Sequence, residues 1–150
     1  MNKIFEKLTN QLTETIDSSV ALALHNKNQE VEVIHLLWAL LTNTNSVLNQ
    51  LLNKMNVNKV AIELEAKSYA SKLPSVSSVT KESIKLSRNL VSSLQNAEGL
   101  MASFGDKFIA VDTWLISNLD SSVIKDVLGK YVDLKEAKKE LEAMRAGKTI

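Results

Sequence analysis

The chain has 150 residues, a natural length for one domain with a real core. Hydrophobic residues make up 45%, charged residues 23%, and 18 basic side chains against 17 acidic ones leave a formal charge of +1. That balance gives no long-range field to draw nucleic acid or an anionic membrane, and the lack of cysteine excludes disulfides, thiol catalysis and Cys-based zinc sites.

The start, MNKIFEKLTNQLTETIDSS, carries acids where a signal peptide needs an apolar stretch, and no run reaches the ~18 apolar residues of a membrane span. A soluble, cytoplasmic protein is expected. One proline and four glycines, with many Leu, Lys, Glu, Asn and Ser residues, favour helices joined by short turns. Strand signals are nearly absent.

The first helix follows Thr9, whose hydroxyl can accept an orphan amide proton. It carries Leu12, Ile16, Val20 and Leu24 as one stripe and ends near His25. Val33, Leu36, Leu37, Leu40 and Leu41 form the broad stripe of a buried second helix. A short third helix holds Val47, Leu48, Leu51 and Leu52. A fourth, after Asn58, turns Ile62, Ala66, Tyr69 and Leu73 to one side. Pro74 to Val79 reads as a linker between two halves.

Beyond it, Thr80 is expected to cap a long helix with Leu86, Leu90, Leu94, Ala97 and Met101 inward. Val111, Trp114, Leu115 and Leu119 make a short buried helix, and Val123, Ile124, Val127 and Leu128 follow the capping candidates Asp120 and Ser121. The last helix opens with a capping-box spacing, Asp133 and Glu136, and buries Leu134, Ala137, Leu141 and Met144.

The two halves repeat. Val33 to Leu41 (VIHLLWALL) matches Val111 to Leu119 (VDTWLISNL) at a constant offset of 78, and Leu52 to Met55 matches Leu128 to Tyr131 after a small deletion. The fold expected is all-α: about eight helices as two pseudo-twofold-related four-helix repeats within one domain over 1–150. Repeat 1 spans about 9–73, the linker about 74–79 and repeat 2 about 80–146.

Catalytic constellations are missing. There is no GxxxxGK(S/T), HExxH or GxSxG, and His25 and His35 are the only histidines. His35 sits in VIHLLWALL and reads as a packed helix position; Trp38 and Trp114, near equivalent places, read as core. Glu30 and Glu32 read as solvated turn residues, and the Lys/Glu side of the last helix as a solvated face. A non-catalytic chain, with no metal site and no cofactor of its own, is expected.

The doubled pattern, with HLL-x-ALL in the first half and GD-x-FI in the second, resembles the Clp amino-terminal domain. Gly105-Asp106-Lys107-Phe108-Ile109 and the closing Leu141-Glu142-Ala143-Met144-Arg145-Ala146-Gly147 are similar to the ClpB version most of all. The resemblance runs from Leu8-Thr9 to Met144-Arg145. It implies the amino-terminal domain of an ATP-dependent, homohexameric disaggregase that threads aggregated polypeptides through its pore. ATP and Mg would then bind in AAA+ rings that this chain lacks. The domain itself would be monomeric and would bind unfolded or aggregated polypeptides, with its own ring as a further candidate partner, but neither nucleic acid nor membrane.

Three polar positions of ClpB relatives fall on Thr9, Asp106 and Asp112, the last being Asp where Glu is common. Each either contacts substrate or only caps a helix or builds a turn. The resemblance also implies an apolar groove near the helices flanking GD-x-FI, with Leu94, Leu100 and Met101 as candidates and Thr113 where Leu is frequent. Burial is the other reading of Leu94 and Met101. Covering about 300 Å² of apolar area at ~25 cal/mol/Å² gives roughly 7–8 kcal/mol gross. Less at least ~4 kcal/mol for association, that leaves millimolar to high-micromolar binding. Such weak capture suits handing a segment onward. The alternative is an adaptor-docking or ring-gating role as in ClpA and ClpC relatives.

Overall fold

Eight α-helices in two matching sets of four build the structure, a computed structural model that describes residues 3–146. Gly147, the last residue of the ClpB-like ending, lies outside them. A 3-10 turn, Lys3–Lys7, leads into α1 (Asn10–His25), followed by α2 (Val33–Thr42), α3 (Val47–Met55) and α4 (Lys59–Ser71). The second set is α5 (Arg88–Phe104), α6 (Val111–Asn118), α7 (Ser122–Val127) and α8 (Leu134–Arg145).

Most helices start where a short polar side chain can accept a free amide. Thr9 accepts from the Leu12 N–H, Ser46 from Asn49, Asn58 from Ala61, Ser87 from Leu90, and Asp133 from Lys135 and Glu136. α6 and α7 lack such a bond: Ala110 at the N-cap of α6 has no side-chain acceptor, and Ser121 at that of α7 makes no capping bond, its hydroxyl buried without a partner.

The sequence expectation of a helix capped by Thr80 is corrected here. Thr80 instead closes a turn, its hydroxyl accepting from the Ser83 N–H at 3.2 Å. Leu86, expected on the helix's inward stripe, belongs to a two-residue strand, β2 (Lys85–Leu86), parallel to β1 (Glu30–Val31). The partner that pulls it out of helix is Val31, distant in sequence, and the helix starts only after Ser87.

The 78-residue offset governs the tertiary hydrogen bonds as well as the sequence. Leu8 bridges Ile109 in parallel, and Leu86 pairs with Val31 in the same sense. The Thr9 N–H donates to the Ile109 carbonyl at 3.0 Å, and the Ser87 N–H to the Val31 carbonyl at 2.9 Å. Shifting either bond by the offset gives the other with the halves exchanged, as a twofold axis requires. Helix contacts obey the same rule: α1 packs on α2 as α5 on α6, α2 on α4 as α6 on α8, and α2 on α7 as α6 on α3. Every residue from Val33 to Leu41 is buried, because α2 meets helices of both halves.

The α1 stripe drifts. Leu12 and Ile16 are buried, but farther along Ser19 and Ala23 take the core positions and Val20 and Leu24 are half-buried. A helix turns every 3.6 residues, so each four-residue step advances about 40° around the axis. By Leu24 the stripe has left the core and faces a surface groove.

Candidate functional site

α5 ends in a Schellman motif. Gly105, at φ +74°, donates to the Ala102 carbonyl at 3.1 Å, and Asp106 donates to the Met101 carbonyl at 3.1 Å. This turn aims the Asp106 carboxylate inward, where it accepts from Arg145 Nη2 at 2.5 Å. Arg145 is the last residue of α8. Its Nη1 donates to Thr113 Oγ1 at 3.3 Å and lies 3.9 Å from the Asp112 carboxylate, while its guanidinium sits 4.0 Å over the Phe104 ring. The side chains of Asp106 and Arg145 are 0% and 7% exposed, so the pair is sealed from solvent.

The equivalent place in the first half is also a buried polar node. Lys27 stands at Gly105's position with φ +57°, and the Lys27 and Asn28 N–H groups donate to Leu24 and Ala23 as their counterparts do. Asn28 matches Asp106, and His35 matches Thr113. Asn28 Oδ1 lies 2.8 Å from His35 Nε2, and Asn28 Nδ2 donates to the Ala70 carbonyl at 3.3 Å. The Glu32 N–H donates to His35 Nδ1 at 2.8 Å, so the ring proton sits on Nε2 and points at Asn28. Burial holds the imidazole neutral and lowers its pKa to about 4. In each half the node fastens the last turn of the fourth helix to the loop entering the second: Ala70 of α4 is held by Asn28, and Arg145 of α8 by Asp106.

The residues singled out in sequence thus occupy different surroundings. Thr9, Asp106, Asp112 and Thr113 come together around the 105–113 segment, Thr9 through its backbone bond to Ile109. The Thr9 hydroxyl caps α1. Leu94 and Thr113 are fully buried and Met101 nearly so. Leu100, half-buried, lines an open groove of about 480 Å³. Ile116 and Leu119 of the α6 end and Leu134 of α8 supply the rest of its apolar lining, and Lys125, Lys135, Lys138, Asp120 and Glu142 its charged edge. A second apolar groove, of about 520 Å³, is lined by Val20 and Leu24 of α1 with Val31, Ile84 and Leu86. Among the described residues no group of three or more His, Asp or Glu side chains is placed to hold a metal ion, and no helix is long and apolar enough to cross a membrane.

Sequence reasoning did not find Arg145, Asn28 or the α8 contribution to the groove. The offset of 78, carried outward from VIHLLWALL, aligns Asn28 with Asp106 and was the signal available for the paired nodes.

The fold and its two nodes define a doubled four-helix domain. The Clp repeat (R) N-terminal domain matches residues 7–131, and the chain belongs to that family. It is 55% identical over 146 residues to the chaperone protein ClpB of Wolinella succinogenes, covering 97% of this chain and 17% of that protein. The chain therefore spans about a sixth of that relative's length. Among solved structures, the Hsp104 N-terminal domain from Candida albicans superposes with a TM-score of 0.85 at 20% identity, over 96% of this chain and 95% of that one. The ClpV N-domain in complex with a VipB peptide gives 0.73 at 18% identity, over 97% and 91%. At these identities the two structures speak for the fold.

Proposed function

We propose that this domain engages exposed apolar segments of unfolded or aggregated proteins for a ClpB-type disaggregase, holding them weakly and passing them to the AAA+ ring of the full-length protein. The observation that carries this reading is the α5–α6–α8 groove, an open apolar trough that starts at Leu100 and is edged by exposed charged side chains. Leu94, Met101 and Thr113 support it from beneath, as buried side chains of the helices that position Leu100 and Ile116. Thr9, Asp106 and Asp112 serve by shaping the 105–113 segment and fastening α8. The identity to ClpB and a ClpV N-domain with a bound peptide support a protein partner. ATP-driven threading belongs to the rest of the protein.

The test is a two-dimensional amide NMR titration of the chain with a permanently unfolded polypeptide, with the same polypeptide folded as control. Shifts at Leu100, Ile116, Leu119 and Leu134, seen with the unfolded form and saturating near millimolar, are expected. Silence with both forms up to a millimolar would overturn the reading, and shifts with the folded form alone would put adaptor docking in its place.

A further inference from the structure

The groove carries a charge pattern that its apolar lining does not require. Lys135 and Lys138 lie in the first turn and a half of α8, and Lys125 lies on the neighbouring α7; all three are exposed and line the groove. Among the described residues none of the three has an ion-pair partner, whereas Lys139, on the same helix, pairs with Glu136 at 3.7 Å and Lys130 with Glu65 at 3.3 Å. Two acids also line the groove: Glu142, seven residues beyond Lys135 and four beyond Lys138, about 10 and 6 Å along the axis at 1.5 Å per residue, and Asp120, just past the end of α6. Three lysines against two carboxylates leave the groove's edge net basic, with Lys135 and Lys138 at the start of α8 and Glu142 one turn beyond Lys138.

We infer that the groove selects unfolded segments in which two or three apolar residues are flanked by Asp or Glu. The apolar side chains lie against Leu100, Ile116 and Leu134, and the carboxylate is placed among Lys125, Lys135 and Lys138. This deepens the reading of the groove as a substrate site and rests on it. The lysines are solvated and flexible, so each favours the acidic segment by the modest amount of an exposed ion pair, about two- to five-fold in affinity. Such a bias orders clients without tightening capture into permanent binding. It also disfavours segments whose apolar residues are flanked by Lys or Arg, through like-charge repulsion.

Three disordered peptides with one shared apolar core, flanked by Asp-Glu, Asn-Gln or Lys-Arg, separate the possibilities in NMR titrations of the 150-residue chain. The acidic peptide is expected to bind at the Leu100–Leu134 groove about two- to five-fold tighter than the neutral one for each lysine it engages. The preference should shrink in about 0.5 M salt, where screening falls well below 10 Å, and reverse in a Lys135→Glu/Lys138→Glu variant, whose changes lie on an exposed face. If all three peptides bind the groove equally, or the basic one binds best, the acidic preference is overturned while the groove stands as the substrate site. If no peptide shifts groove residues, or all shift the Val20–Leu24–Leu86 groove instead, the substrate-site reading falls and the preference with it.

Discussion

Asp106→Ala removes the carboxylate that faces Arg145 inside the protein. Arg145 is left with Thr113 at 3.3 Å, Asp112 at 3.9 Å and the Phe104 ring, while its side chain stays 7% exposed. Removing one partner of a buried pair costs about 3–5 kcal/mol, because the surviving charge keeps its desolvation penalty without its counter-charge. The three remaining contacts soften that, so about 3 kcal/mol is expected, a large share of the ~5–15 kcal/mol that stabilises a typical domain. For a chain of this size the melting temperature should fall by about 6–12 °C. The assay is urea unfolding followed by far-ultraviolet circular dichroism, for Asp106→Ala, Arg145→Met and the double variant. The double variant should lose at least about 1 kcal/mol less than the two singles together, since the second change removes the group the first left unpaired. A loss under about 1 kcal/mol for Asp106→Ala, or additivity within about 0.5 kcal/mol, would refute the claim that this pair fastens α8.

Acid should weaken the fold through His35. Its folded pKa of about 4 lies below the ordinary 6.5, so between those values the unfolded chain binds a proton that the folded chain does not. Its contribution is complete above pH 6.5 and fades as pH falls toward 4, by at most roughly 3 kcal/mol. His35→Gln, with a donor and an acceptor but no titration, should flatten that slope in urea unfolding across the window, and an unchanged slope would count against it. Lys27→Gly should raise stability by about 0.5–1 kcal/mol in thermal unfolding, because Lys27 holds the left-handed conformation at φ +57° that Gly105 holds in the other half. Gly129→Ala should destabilise by about 1–3 kcal/mol, because its Cβ would stand 2.5 Å from the Lys125 carbonyl oxygen, a backbone atom that cannot swing aside. Calorimetry of the two glycine variants decides both.

What could be read from the sequence was local or repeated. Thr9, Asn58 and Asp133 cap their helices because a cap depends on the next three residues alone. The doubled architecture was legible because VIHLLWALL and VDTWLISNL place Val33 and Val111, Leu37 and Leu115, and Leu41 and Leu119 at the same spacing. Thr80 misled because it precedes a helical-looking run, whereas Leu86 is held in a strand by Val31, a contact no local pattern encodes. The candidate site was legible only in part. Leu100 was named through the family resemblance and lines the groove, but the groove's other wall comes from Leu134, Lys135 and Lys138, joined to it only by folding. Leu94 and Met101 share the same helix and face its core side, so a stripe read without its orientation mixes wall with interior. Arg145 escaped notice because a basic residue at a helix end reads as a solvated cation complementing the helix dipole until Asp106 is seen beside it.

The central claim is that unfolded polypeptide is held at the groove that begins with Leu100. It is tested most directly by comparing the affinity of an unfolded polypeptide for the wild-type chain, Leu100→Ser and Leu24→Ser, the last lying in the second groove. Removing the half-buried Leu100 takes away about 1–1.5 kcal/mol of apolar contact, so Leu100→Ser should weaken binding about five- to ten-fold and Leu24→Ser should leave it unchanged. Equal affinities in wild type and Leu100→Ser, or a loss confined to Leu24→Ser, would contradict the account.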